Sequence, residues 1–138
     1  MLIKECTVQD AAKLARMNRQ LIEDERSGNP MSIAQLEHRM NGFLNEGYRA
    51  YFFVEDGAEV GYALVKYDAR PLYLRQFFIG REYRRRHYGR RAFRSLTEHL
   101  RADVIDIDVL PWNEAGRSFW RSCGFKETCV SMRYDNET

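Results

Sequence analysis

Cysteine is scarce: the chain has three, Cys6, Cys123 and Cys129, an odd number without metal-ligand spacing. This argues against a disulfide framework and against a zinc site, and all three read as small packing residues. Long apolar runs are missing too. No stretch approaches the 18 residues of a membrane span, and the opening MLIKECTVQD lacks the apolar region of a signal peptide, so the expected location is the cytoplasm. Net charge is also low. With 22 basic and 20 acidic residues the formal charge is +2, which excludes the global positive field of a nucleic-acid coat protein. Repeats, linkers and low-complexity tracts are absent. What remains is a 138-residue chain, 44% hydrophobic and 13% aromatic, sufficient for a single domain over residues 1–138 with one substantial core.

Periodicity orders that chain into alternating elements. Residues 1–6 read as a strand, and Thr7 with Asp10 three positions on reads as a helix start. Ala11, Leu14, Met17, Leu21 and Ile22 then recur at helical spacing until Ser27-Gly28-Asn29-Pro30 breaks the pattern. Ser32 and Gln35 have capping-box spacing ahead of a second apolar stripe, Ile33, Leu36, Met40, Phe43 and Leu44. Residues 49–55 and 59–67 are β-rich runs around the hairpin signal Asp56-Gly57, and residues 72–79 form the next strand. After Gly89 a helix carries Ala92, Phe93, Leu96 and Leu100. A strand over 104–110, a helix opened by Asn113 with Phe119, Trp120 and Cys123, and a last strand over 125–134 complete the chain. The fold class is α/β, with a mixed, mostly antiparallel central sheet flanked by helices.

Charge is concentrated in one place. Seven arginines and His87 fall between Arg81 and Arg94, between the strand LYLRQFFI and a helix. An arginine run alone is compatible with a solvated face or a nucleic-acid patch. A strand before it and a helix after it point to a smaller anion, because a helix start offers unpaired N–H groups and a positive dipole end.

The motifs around this run carry a family resemblance. Arg84-Arg85-Arg86-His87-Tyr88-Gly89 resembles the pyrophosphate loop of the GCN5-related N-acetyltransferases (GNAT), with His87 at the first glycine. Downstream, Asn113, Gly116, Trp120, Gly124 and Phe125 resemble that family's second motif, with Gly116 at its alanine and Trp120 at its tyrosine. The element order agrees over nearly the whole chain. The resemblance implies an acyl-CoA N-acyltransferase fold and transfer of acetyl from acetyl-CoA to an amine, with no metal. It implies cofactor contacts from Phe77, Phe78 and Ile79 on the strand, from Arg84, Arg85, Arg86, His87, Tyr88, Gly89 and Arg90 at the loop, and from Asn113 and Trp120. Gly89 is expected to let the backbone approach the pyrophosphate. The partner implied is a small-molecule or peptide amine, with no membrane and no nucleic acid, and a homodimer is allowed.

An ammonium must lose a proton before it attacks, so a base is required. Strict alternation sets Tyr73, Arg75 and Phe77 on one face of the strand and Leu74, Gln76 and Phe78 on the other, with no carboxylate on either. Asp108 is the first candidate, five residues before Asn113, where aminoglycoside 6′-N-acetyltransferases carry an active-site aspartate; Asp106 lies two residues away. A structural ion pair is the other reading of Asp108. The second candidates are Glu23 and Asp24, in the acidic patch Glu23-Asp24-Glu25 that ends the first helix; a solvated helix end would look the same. Arg75 would favour an acceptor bearing a carboxylate. The competing class is a non-catalytic module that senses acyl-CoA or binds RNA through the arginine run.

Overall fold

The computed structural model describes residues 1–84 and 86–137. Strand β1 (Leu2–Glu5) leads into a 3₁₀ turn (Val8–Asp10), where Thr7 and Asp10 form the expected reciprocal cap. Helix α1 (Ala11–Glu25) follows, and α2 (Ile33–Asn45) starts from the Ser32 and Gln35 capping box. Strands β2 (Tyr48–Glu55) and β3 (Ala58–Lys66) are joined by Asp56 and Gly57. Both turn residues have positive φ, 51° and 79°, as a two-residue hairpin of matching twist requires.

Strand β4 (Leu72–Ile79) leads through a 3₁₀ turn (Arg81–Tyr83) to α3 (Tyr88–Leu100). Strand β5 (Ile105–Asp106) and α4 (Glu114–Ser122) come last. The sheet order is β1-β2-β3-β4-β5; the first three pairings are antiparallel and β4 with β5 is parallel. Leu14, Leu21 and Met40 from α1 and α2 cover Phe52, Tyr62, Leu64 and Phe78 on one side of the sheet. Ala92 and Leu96 of α3 and the ring of Trp120 on α4 cover Phe53, Val65, Leu74 and Ile79 on the other.

Three expectations need correction. The strand expected over 104–110 keeps only Ile105 and Asp106, paired with Leu72 and Tyr73. The strand expected over 125–134 is not formed, and residues 126–137 are exposed throughout. Alternating apolar residues such as Val130, Met132 and Tyr134 favour a strand, but a strand also needs a neighbour to bond, and these side chains have none of the burial that would hold one there. The cysteines differ as well: Cys6 is buried as a packing residue, whereas Cys123 is half-buried and Cys129 exposed. Burial pushes the Cys6 thiol up to about 12.

The faces of β4 also depart from strict alternation. Leu64 pairs with Gln76 but Val65 pairs with Leu74, so Arg75 is an extra residue in a bulge. One extra residue reverses the phase of the strand beyond it. Tyr73, Arg75, Gln76 and Phe78 therefore look toward α1 and α2, while Leu74, Phe77 and Ile79 look toward α3 and α4.

Candidate active site

Strands β4 and β5 share only two residue pairs and then part. Beyond that point β4 runs on to Ile79 without a strand on its β5 side. The stretch from Arg75 to Ile79 is about 13 Å of strand edge, with the start of α3 at its far end.

The start of α3 leaves backbone amides open, whereas most of the arginines around it are engaged. His87 caps the helix with φ 60° and ψ 16°, the left-handed conformation, at the position where the resembling motif has a glycine. Histidine adopts this region more readily than branched residues do. The amides of Tyr88, Gly89 and Arg90 have no carbonyl one turn back to bond within the helix. Arg86 is exposed beside them. The other arginines are largely spoken for. Arg81 bonds Asp24 at 3.0 Å and Glu23 at 3.2 Å, and Arg84 bonds Asp24 and the Ile79 carbonyl. Arg91 pairs with Glu55, and Arg90 donates to the Ser122 carbonyl at 3.1 Å. Arg85 lies outside the described residues. Much of the run therefore ties the loop to α1 and β2 instead of forming one open basic face.

Gly89 has a packing role. It is helical, without positive φ, and a Cβ there would stand 2.9 Å from the Phe119 ring. The glycine lets α3 and α4 pack closely. Asn113 caps α4, its side-chain oxygen accepting from the Gly116 amide at 3.0 Å. Trp120 lies 5.0 Å from Phe77, 5.4 Å from Phe93, 4.8 Å from Phe119 and 5.1 Å from Phe125 between ring centroids, an aromatic cluster against one face of β4.

On the other face, Tyr73 donates its hydroxyl to Asp108 Oδ2 at 2.8 Å across the point where the strands part. Burial, and then this carboxylate, push the Tyr73 phenol up to about 12, so it stays a donor at neutral pH. Asp108 is exposed, and Asp106 pairs with Tyr73 on β5. Glu23 and Asp24 are held in the ion pairs with Arg81 and Arg84. Glu25 differs: burial, with the charge of Asp24 beside it, pushes its carboxyl above the ordinary value. Its carbonyl receives the Trp112 indole N–H at 3.2 Å, which joins the end of α1 to the segment before α4.

Sequence reasoning missed Tyr73 as the partner of Asp108 and missed Arg39 altogether. Spacing in the sequence marks neither residue; the packing of α2 on the bulged strand brings Arg39 beside Arg75. Among the described residues no group of three or more histidine, cysteine and carboxylate side chains is placed to hold a metal ion, and no helix is long and apolar enough to cross a membrane.

A family model described as acetyltransferase (GNAT) family matches residues 14–125. No curated protein matches the sequence. Among solved structures, a mutant of the BH1408 protein from Bacillus halodurans superposes with a TM-score of 0.77 at 20% identity, covering 98% of this chain and 99% of that one. A possible acetyltransferase from Clostridium difficile 630 gives 0.78 at 16%, covering 98% and 96%. The aminoglycoside N-acetyltransferase AAC(6')-Iy in complex with CoA gives 0.70 at 15%, covering 99% and 95%. These likenesses establish the fold. The family match takes in the parted strands, the loop, the start of α3 and the capped α4, and the chain belongs to the GNAT acetyltransferase family.

Proposed function

We propose that the chain is an N-acetyltransferase that moves the acetyl group of acetyl-CoA directly to a primary amine, with Asp108 as the proton acceptor. The observation that carries this reading is the Tyr73 to Asp108 hydrogen bond where β4 and β5 separate, at one end of an open strand edge whose other end meets the start of α3.

The donor set fits a pyrophosphate. Successive amides at a helix start, a left-handed residue ahead of them and an exposed arginine are the groups that hold phosphate oxygens. Tyr88, Gly89 and Arg86 would do this here, with Arg84 and Arg90 adding charge from positions fixed by other contacts. The backbone of Phe77, Phe78 and Ile79 would order the pantetheine arm along the strand edge. When bound, acetyl-CoA supplies an activated acyl group as a thioester.

The chain's residues then have distinct tasks. Asp108 takes the proton from the acceptor ammonium, and Tyr73 holds that carboxylate in one orientation by donating to it. The ion pairs of Glu23 and Asp24 with Arg81 and Arg84 fit a structural role, which favours Asp108 over them as base. Trp120 fits packing; its indole N–H cannot readily give up a proton, and the departing thiolate can be protonated by water at the mouth of the gap. The acceptor is a small-molecule or peptide amine. The exposed apolar alternation of Val130, Met132 and Tyr134 supports a homodimer, which sedimentation would test.

Thiol release from acetyl-CoA, followed over a panel of amines, tests the activity. Asp108→Asn should lower kcat by roughly 10² to 10⁴ and leave acetyl-CoA affinity nearly intact. A folded Asp108→Asn protein with full turnover would move the base elsewhere, to Glu25 first.

A further inference from the structure

Two arginines on the α1 and α2 side of β4 lie against one ring, and among the described residues neither is paired with a carboxylate. Arg75, at the bulge, has its guanidinium carbon 4.8 Å from the centre of the Phe43 ring, and Arg39 of α2 stands 5.5 Å from the same centre. Neither makes an ion pair among the described residues. Arg75 is exposed, and its hydrogen bond to the Tyr48 hydroxyl is long, 3.4 Å. Among the described residues Arg39 bonds the buried Asn18 side chain, at 3.0 Å, and its buried Nε has no acceptor.

The groups around them are neutral except Glu25, whose charge bears on the Tyr62 hydroxyl. Beyond Asn18 the Tyr62 hydroxyl donates to Gln76 at 2.7 Å, so neither of these two neutral groups supplies Arg39 with a charge. Burial and the charge of Arg75 hold the Arg39 guanidinium below its ordinary value. Two like charges over one ring repel each other, and a buried N–H without an acceptor is a cost that the fold alone does not offset. An anion bound at their guanidinium ends would offset the repulsion between them. Planar, forked guanidinium groups match a carboxylate.

Arg75 also stands two residues from Tyr73 on the same side of β4, and Tyr73 holds Asp108. A cationic end and an anionic end thus lie along one strand face. We infer that Arg39 and Arg75 bind the carboxylate of the acceptor, so that the acceptor is an amino carboxylate, an amino acid or the carboxyl end of a short peptide, with its amine turned toward Asp108. The inference rests on the acetyltransferase reading above. The same two cations would disfavour polycationic amines, which find no compensating charge at that end.

The test compares L-amino acids with their carboxamides, and with spermidine, as acceptors in the thiol-release assay, alongside calorimetry of acetyl-CoA binding. At least one amino acid should exceed its own carboxamide in kcat/KM by tenfold or more, and spermidine should be poor. Arg75→Gln should collapse the acid-to-amide ratio through KM, and Arg75→Lys should restore part of the ratio. Because the variants are compared on the ratio, the lower basicity of the amides cancels. A ratio near one in the wild type, a ratio that survives Arg75→Gln, or better turnover of spermidine would overturn the inference. Acetyl-CoA bound but no amino acid acetylated would overturn it and leave the acetyltransferase reading intact. Failure to bind acetyl-CoA would overturn both.

Discussion

On the α3 and α4 side of β4, Leu74, Phe77 and Ile79 meet apolar groups: Phe77 touches the rings of Phe53, Phe93, Phe119 and Trp120. On the α1 and α2 side, Tyr73, Arg75 and Gln76 meet Asp108, Tyr48, Phe43 and Tyr62 through polar and cationic contacts. One eight-residue strand supplies both surfaces, and the bulge at Arg75 assigns residues to each. Without the extra residue, the phase that buries Leu74 would carry Gln76 into the aromatic cluster and bring Phe77 out beside Tyr73. The comparison shows apolar packing and polar contacts divided between two sides of one element, with the bulge as the place where they are assigned.

If that division holds, the largest loss of stability comes from the aromatic side. Phe77→Ala should cost about 3 kcal/mol in urea denaturation, the lower end for a large aromatic removed from packing, since Phe77 is only half-buried. A loss below about 1 kcal/mol, within the range of an ordinary surface change, would show that the cluster does not bear on folding.

Next in size is the polar side. Gln76→Leu removes the acceptor of the buried Tyr62 hydroxyl and should cost about 1 to 3 kcal/mol. Combining it with Tyr62→Phe should cost less than the two single changes added together, because both substitutions remove one shared bond. Strict additivity would mean that the two side chains do not act as a pair.

A smaller effect depends on pH. The Tyr73 phenol is raised from 10.0 to about 12 by burial and by its bond to Asp108, so folding favours the protonated form. Its contribution is fully present below pH 10 and is lost as pH rises through 12. Wild-type stability should therefore fall more steeply than that of Tyr73→Phe across this window. Parallel curves would place the phenol in solvent.

The smallest expected change is Trp120→Phe, which keeps an aromatic ring in the cluster. It should cost about 1 kcal/mol of stability and leave turnover largely unchanged. A loss of about a hundredfold in kcat at unchanged stability, the scale of general-acid catalysis, would give Trp120 a part in the chemistry.

Much of the architecture was legible because it is set by local rules. The two capping boxes, the Asp56-Gly57 turn and the full extent of β4 follow from residue types at short spacing, and each is formed as read. The loop and Asn113 motifs led to the family that the match over residues 14–125 establishes. What could not be read depends on neighbours distant in sequence. A two-residue β5 and the unpaired segment 126–137 turn on whether a partner edge is available, which periodicity does not report.

Residue types and spacing by themselves determined the fold class, the strand-loop-helix unit and a helix start after the arginine run, because helix caps, turns and alternation are satisfied within a few residues. Tertiary structure alone decided which arginines are neutralised by Glu23, Asp24 and Glu55, how closely Gly89 packs on Phe119, and which side of β4 each residue faces. Charge pairing and close packing are fixed by elements that meet across the fold. A single-residue bulge, invisible to a pattern of period two, reverses every side chain beyond it.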